Sequence, residues 1–246
     1  MNLQQAFEHV RWRLEGRAIR NWWKVHTRIR RIFLVNVVSI SLMRVFARRY
    51  YWEALHEFAA PPWEIGRPQK EFVRLAQEGQ IRGEVLEIGC GKGALALHLA
   101  ELGLHVVGID LSVQAIERAQ RSATERNLRA EFLVANALKL KQIGRQFDTA
   151  VDAALFHILT PTERIEFAAG LHDVLKPHGR YYSLGLEVPD NRTFPLTGHP
   201  SLSRQSIVDT FGQGWRLEYV RDAVMEHTDR REAPALLFAV TKVDEP

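Results

Sequence analysis

The chain has 246 residues, 46% of them hydrophobic, so it is long enough for one α/β domain with an appended segment. A single cysteine, Cys90, excludes an internal disulfide and a multi-cysteine zinc site, and we expect a cytoplasmic protein. The formal net charge is +4, but residues 1–60 hold eleven Arg or Lys and four Glu, or +7, which leaves +4 minus +7, or −3, for the rest. The basic character therefore belongs to the N-terminal segment.

Residues 1–60 are predicted to form a basic, amphipathic helical extension. Apolar residues recur there at roughly helical spacing, and the uncharged run 32–43 is too short for the roughly 20 residues that span a membrane. Three roles stay open. The apolar side of these helices most often packs over the main domain as a cover, which is the favoured role. Contact with an anionic membrane surface is the second role. Nucleic-acid binding is the least favoured, because the body of the chain is not basic.

Residues 61–246 are predicted to form one α/β domain. The junction APPWEIGRP holds three prolines and a glycine, which forbid a continuous helix. After it, helices are predicted over 69–78, 94–102, 112–126, 162–175 and 203–211. Strands are predicted over 84–89, 105–110, 130–135, 147–156, 180–187, 215–220 and 235–243. This alternation predicts a doubly wound, seven-stranded, mostly parallel sheet that is covered on both faces.

The stretch VLEIGCGKGALALHLA places Gly89, Gly91 and Gly93 between the first strand and its helix. There the missing side chains let a ligand reach backbone N–H groups at a helix start, although tight packing alone can also require glycine. Asp110 ends the second strand, where a carboxylate can accept both hydroxyls of a ribose. Glu87 would repel a pyrophosphate and suit an ammonium group. The pattern therefore predicts S-adenosylmethionine, with a nicotinamide dinucleotide as the remote alternative.

With these residues the chain resembles the class I S-adenosylmethionine-dependent methyltransferases over about residues 60–243. VLEIGCGKG and VVGIDLSVQAIERA carry the resemblance to the superfamily. PPWEIGRPQ, FDTAVDAALFHIL and LTGHPSLSRQSIVDTFG resemble the thiopurine, thiol, halide and tellurite methyltransferase group. Similar members read Gly-Pro-Pro and an aromatic residue where this chain has GHPS. The resemblance implies a Rossmann-like methyltransferase fold and an enzyme that transfers a methyl group from S-adenosylmethionine.

The resemblance also implies a set of cofactor-binding positions: Trp63, Arg67, Glu87, Gly89, Cys90, Gly91, Gly93, Asp110, Leu111, Asn136 and Ala137. Asn136 stands where many relatives have an aspartate that faces the adenine amino group, and its amide oxygen can still accept that hydrogen bond. Trp63 and Arg67 would cap the cofactor, with Arg67 pairing the cofactor's carboxylate. Trp63 has a second interpretation as a core anchor. Cys90 is interpreted as a small residue between glycines rather than a nucleophile.

The segment DAALFHIL follows the fourth strand, where methyltransferases that act on amino nitrogens carry Asn- or Asp-Pro-Pro-Tyr. Here the candidate catalytic residues are Asp152 and His157, with His199 in a later loop. An imidazole can accept a thiol proton or orient the substrate, and a hydrogen-bonded wall residue is the alternative role for His157. The spacing of the other histidines predicts no metal site.

Four classes of function stay open. Transfer of a methyl group to a small thiol or sulfide by in-line displacement leads, since a thiol is already partly ionised at neutral pH and needs a pocket more than a base. An O- or N-methyltransferase of a lipid or other small metabolite is second, and an NAD(P)-dependent oxidoreductase is remote. A catalytically inactive binding module is the least favoured. We expect a small-molecule substrate, no nucleic acid, and a peripheral membrane contact through residues 1–60 as an open alternative.

Overall fold

A computed structural model of the protein describes residues 63–187, 202–228 and 231–243. The predicted extension, residues 1–60, and the candidate catalytic residue His199 lie outside these ranges. The predictions about them therefore stay predictions.

The described helices and strands follow the predicted alternation. The helices are α1 (Lys70–Gln77), α2 (Ala94–Glu101), α3 (Val113–Glu125), α4 (Pro161–Val174) and α5 (Arg204–Thr210), with 3-10 turns over Ala137–Ile143 and Phe156–Ile158. The strands are β1 (Glu84–Ile88), β2 (His105–Asp110), β3 (Ala130–Val134), β4 (Phe147–Ala153), β5 (Leu175–Leu186), β6 (Trp215–Glu226) and β7 (Glu232–Lys242). No helix within the described ranges is long and apolar enough to cross a membrane.

The described strands form one seven-stranded sheet in the order β3-β2-β1-β4-β5-β7-β6. β1 to β5 pair in parallel, and β7 pairs antiparallel with both of its neighbours. The predicted fold class is thereby confirmed. The chain runs outward from β1 to β3 and then returns to place β4 on the other side of β1. Ligands of doubly wound sheets bind at such a reversal, outside the carboxyl ends of the strands.

Apolar side chains cover both faces of the sheet, because neighbouring residues of each buried strand point to opposite sides. Val85 belongs to a core cluster that includes residues of α1, α2 and α3, and Leu86 belongs to a second cluster that includes residues of α4 and α5. On the second face Phe156, Phe211 and Phe238 lie with their ring centroids 5.2–5.7 Å apart. Close packing on both faces holds the carboxyl ends of the strands in fixed positions.

Four strand boundaries differ from the prediction by three residues or more, and one of them is the start of β7, at Glu232 instead of residue 235. β4 ends at Ala153 instead of residue 156, because Ala154 has φ +74° and the chain then enters a 3-10 turn. β5 starts at residue 175, before a register irregularity against β4. β6 continues to Glu226 instead of residue 220, because it pairs with β7 as far as Glu232.

Candidate active site

A cavity of about 990 Å³ lies at the carboxyl edge of the sheet, beside the reversal point between β1 and β4. This volume lies within the range of small-molecule sites. The predicted cofactor residues that line the cavity are Trp63, Arg67, Glu87, Gly89, Cys90, Gly91, Asp110, Leu111 and Ala137. Of the predicted catalytic residues that the structure describes, His157 lines the cavity and Asp152 does not.

Asp110 joins the glycine turn to the end of β2. Its Oδ2 accepts a hydrogen bond from the Gly91 N–H at 2.9 Å, and its Oδ1 accepts one from the Ser112 N–H at 2.9 Å. The N–H groups of Gly89 and Cys90 donate to the Ile109 carbonyl at 2.8 and 2.9 Å. Each oxygen of a carboxylate has two lone pairs, so Asp110 keeps one on each oxygen for a further donor. A ribose with two neighbouring hydroxyls matches that arrangement.

Glu87 brings a carboxyl group into the cavity wall. The residue is only 4% exposed, and its Oε2 accepts a hydrogen bond from the Ala96 N–H at 2.8 Å. Burial raises the pKa of Glu87 to about 8, the Ala96 N–H opposes the rise, and the charges of Asp110 and Asp152 add to it. A buried carboxyl group that is costly to ionise favours a ligand with a positive charge, which would offset that cost.

Gly93, a predicted cofactor contact, does not line the cavity. Gly93 has φ +78°, and a Cβ built on it would lie 2.8 Å from the Phe132 ring. A Cβ on Gly108 of β2 would also lie 2.8 Å from that ring. Both glycines therefore make room for Phe132. The packing explanation, which the sequence left open for the whole turn, applies to its third glycine.

The side chain of Asn136, another predicted cofactor contact, begins a 3-10 turn. Its Oδ1 accepts a hydrogen bond from the Leu138 N–H at 2.9 Å, and Asn136 does not line the cavity, whereas Ala135 and Ala137 do. An asparagine two residues before the N–H that it caps is a common local motif. This capping pattern is visible in the sequence, but the resemblance to the family predicts instead that Asn136 contacts the adenine.

Residues 63–69, called here the entrance segment, all line the cavity. Trp63 is 37% exposed, so it is not a core anchor. Arg67 donates from Nη1 to Glu226 Oε2 at 2.9 Å and from Nη2 to Glu226 Oε1 at 2.8 Å. The Arg67 guanidinium thus has a partner within the protein, and its predicted pairing with the cofactor's carboxylate stays a prediction. Sequence reasoning missed Glu226, because no local pattern links two residues 159 positions apart.

Asp152 lies behind the cavity wall and is fully buried. Its Oδ1 accepts hydrogen bonds from the Leu155 N–H at 2.8 Å and the Phe156 N–H at 3.1 Å, and the Tyr181 hydroxyl donates to its Oδ2. Burial raises the pKa of Asp152, and its hydrogen bond with Tyr181 opposes that rise. Asp152, a predicted catalytic residue, therefore stabilises the turn that carries His157 and does not line the cavity itself.

His157 is 5% exposed and lines the cavity from the 3-10 turn after β4. Gly185 of β5 lies directly behind it, since a Cβ on Gly185 would be 3.1 Å from the His157 Cβ. The described residues contain no group of three His, Cys, Asp or Glu side chains that could hold a metal ion.

Comparisons with known proteins agree with this geometry. A family model described as a methyltransferase domain matches residues 85–179. The 2-heptyl-1-hydroxyquinolin-4(1H)-one methyltransferase of Mycobacteroides abscessus is 33% identical over 187 residues, which cover 74% of this chain and 81% of that protein. The chain belongs to the S-adenosylmethionine-dependent methyltransferases. It is therefore an enzyme whose cofactor is S-adenosylmethionine, and the nicotinamide-dependent alternative is wrong.

A second relative and one solved structure have names that mention sulfur groups. Probable thiol methyltransferase 2 of Arabidopsis thaliana is 28% identical over 58% of this chain and 65% of its own length. A solved structure from work on the conversion of a disulfide bond into a thioacetal group during echinomycin biosynthesis has a TM-score of 0.72 and 30% identity, and covers 79% of this chain and 91% of its own.

The residues of the cavity fit S-adenosylmethionine. Glu87 offers a carboxyl group for a cation, and Asp110 offers free lone pairs for two hydroxyls. Cys90 is buried, and that burial raises the pKa of its thiol well above the ordinary value, so the thiol stays protonated. This agrees with the interpretation of Cys90 as a small residue between glycines.

Proposed function

We propose that this methyltransferase transfers a methyl group to a small soft nucleophile, most simply a thiol or sulfide. The observation that carries the proposal is the cavity wall formed by the ends of β4, β5 and β6. Leu155, Ile158, Leu186 and Met225 make this wall apolar, and the imidazole of His157 lies among them. An apolar wall with an imidazole suits a neutral thiol that loses one proton as it reacts.

Three polar residues of the cavity, Glu87, Asp110 and His157, have a direct role in this proposal. When bound, S-adenosylmethionine supplies a methyl group that its sulfonium already activates. Glu87 holds the ammonium group and Asp110 the ribose hydroxyls, which fixes the donor in the cavity. The entrance segment keeps water out. His157 accepts the thiol proton, and Asp152 positions the turn on which His157 lies.

Relatives support a sulfur acceptor. Besides the thiol methyltransferase of Arabidopsis thaliana, the thiocyanate methyltransferase 1 of Brassica oleracea is 27% identical over 60% of this chain and 63% of its own length. A thiol has an ordinary pKa near 8.5, so a few per cent is ionised at neutral pH and the chain needs to supply little basicity.

A second candidate acceptor is a hydroxyl group on a heteroaromatic ring. The relative at 33% identity is named for 2-heptyl-1-hydroxyquinolin-4(1H)-one, a compound with an alkyl chain. The apolar side chains of Leu186 and Met225 would suit such a chain as well as they suit an apolar thiol. This is the oxygen-directed form of the alternative that the sequence left open.

A panel of matched acceptors tests the proposal. Purified protein is incubated with S-adenosylmethionine and with benzyl mercaptan, benzyl alcohol, sulfide or 1-hydroxyquinolin-4-one, and S-adenosylhomocysteine and the methylated product are measured. We expect the thiol to react at least tenfold faster than the alcohol, and the His157→Gln variant to lose rate mainly near neutral pH, where this alkyl thiol is still protonated. Cofactor binding without turnover of any thiol would reject the sulfur proposal, and turnover of the hydroxyquinolone alone would establish the second candidate.

We also propose that residues 1–60 touch an anionic membrane surface, in an otherwise cytoplasmic protein. The support is the charge of +7 in that segment together with its apolar stripe. The full chain should sediment with vesicles that contain phosphatidylglycerol at low salt and be released at high salt. Equal sedimentation with neutral phosphatidylcholine vesicles, or none with either, contradicts the proposal.

A further inference from the structure

The entrance segment is held by ion pairs at both of its ends. Near its start, Glu64 Oε2 accepts a hydrogen bond from Lys92 Nζ at 2.5 Å, and Lys92 belongs to the glycine turn. Near its end, Arg67 pairs with Glu226 at the end of β6. One ion pair therefore ties the segment to the glycine turn, and the other ties it to the end of β6.

Glu226 is the centre of the second attachment. Its side chain is 8% exposed and accepts hydrogen bonds from the Arg67 guanidinium and, at 3.3 Å, from the Lys70 N–H. Its backbone makes a reciprocal pair with the buried Gln69 side chain: the Glu226 N–H donates at 2.8 Å and the Glu226 carbonyl accepts at 3.0 Å. The hydrogen bonds from Arg67 hold the pKa of Glu226 down to about 2, so it is ionised at any physiological pH.

Residues 63–68 of this segment are exposed or only partly buried. Gly66 has φ +72°, and a Cβ built on it would have no neighbour within 4 Å. Trp63 is 37% exposed instead of packed in the core. A stretch with few buried apolar contacts opens at low free energy unless polar contacts hold it closed.

We propose that Glu226 is a positioning residue for cofactor binding: through Arg67 it holds the entrance segment closed over the cavity. In this proposal Arg67 anchors the entrance segment and does not bind the cofactor's carboxylate. If only closed molecules bind the ligand, its apparent dissociation constant is inversely proportional to the fraction of molecules that are closed. This inference concerns the cofactor alone and holds for any methyl acceptor.

The Glu226→Gln variant separates the two roles of Arg67, because they predict changes of opposite sign. If Glu226 holds the segment, the variant weakens the binding of S-adenosylhomocysteine by about tenfold, as the closed fraction falls to about one tenth. If Arg67 instead serves the cofactor's carboxylate, removing its competitor leaves the affinity unchanged or improves it. Glu232→Gln is the matched control, since Glu232 pairs with the same Lys70 at 3.3 Å but is half exposed.

The measurements are titration calorimetry with S-adenosylhomocysteine and steady-state kinetics with S-adenosylmethionine. We expect the KM for S-adenosylmethionine to rise about tenfold in Glu226→Gln while kcat changes less than twofold, with Glu232→Gln unchanged in both. Since Glu226 is nearly buried, Arg67→Gln provides a second variant whose side chain is 53% exposed and whose loss leaves the core intact.

The probe 5′-methylthioadenosine, which lacks the amino-acid part, completes the test. Closure of the segment predicts that Arg67→Gln weakens this probe and S-adenosylhomocysteine by similar factors. Weakening of S-adenosylhomocysteine alone would overturn the proposal, as would an unchanged or improved affinity in Glu226→Gln.

Discussion

The buried carboxyl group of Glu87 should couple cofactor binding to the release of a proton. Its pKa is about 8 in the folded chain against an ordinary 4.5. At about 1.4 kcal/mol per pKa unit, ionising Glu87 in the folded chain costs about 5 kcal/mol more than ionising it in water. Between pH 4.5 and 8 the folded chain keeps a proton that the unfolded chain has lost. This contribution to stability is therefore complete below pH 4.5 and is lost as the pH rises towards 8.

A bound ammonium group favours the ionised form of Glu87, so binding should expel that proton. The α-amino group of the cofactor keeps its own proton below about pH 7.7. We therefore expect the affinity to rise with pH between 5.5 and 7.5, by at most about tenfold per pH unit, with nearly one proton released per cofactor at pH 6.5. Calorimetric titrations in two buffers of different ionisation enthalpy count these protons.

The Glu87→Gln variant removes the titrating group and should release almost no proton at pH 6.5. Because the variant has no carboxyl group to ionise in the cavity, its ligand-free form should also lose less stability than the wild type between pH 5 and 8. Glu84→Gln is the control, since Glu84 begins the same strand but is exposed. Wild-type binding without proton release, or equal release in Glu87→Gln, would refute the assignment of Glu87 to the ammonium group.

Three further outcomes are expected. Asp110→Ala should weaken S-adenosylhomocysteine at least about thirtyfold in calorimetry, because the ribose and the Gly91 N–H both lose an acceptor; a loss below threefold would contradict that role. Gly93→Ala should lower the free energy of unfolding in urea by about 2–4 kcal/mol, and adding Phe132→Leu should restore part of it; no recovery would argue against the ring contact. Asp152→Ala should lower kcat at least tenfold by releasing the turn of His157, with cofactor affinity within twofold; equal losses in both would place Asp152 at the cofactor instead.

Most of the fold could be predicted, because its signals are local. Short apolar runs, glycine turns and a good helix cap such as Ser112 each act within a few residues, and they place the strands within a few positions. The end of β4 could not be predicted in this way. The strand stops because Asp152 accepts two N–H groups beyond it and Ala154 takes a positive φ, and no propensity encodes either event.

The position of Glu87 and Asp110 at the cavity was predictable, because each lies at or near the carboxyl end of a strand. It was not predictable where a side chain had a choice of partners. Arg67 is predicted at the cofactor, and in the structure its guanidinium also pairs with Glu226, a residue of a distant strand. Asn136 is predicted at the adenine, and in the structure one lone pair of its Oδ1 accepts the hydrogen bond of the nearby Leu138 N–H. Tertiary and local partners compete with a ligand for the same hydrogen bonds, and a sequence does not contain the outcome of that competition.

Phe132 packs against two glycines, and this contact limits how the glycine turn can be grafted into the sheet of another protein. Gly93 lies in the cofactor turn and Gly108 lies in β2, yet both are shaped by one ring on β3. The three positions therefore form a unit that is scattered over 40 residues of sequence. A graft that carried over the glycine turn and left β3 behind would lose the partner of its third glycine and leave a void in place of the ring. A successful graft would therefore have to include Phe132 together with the glycine turn.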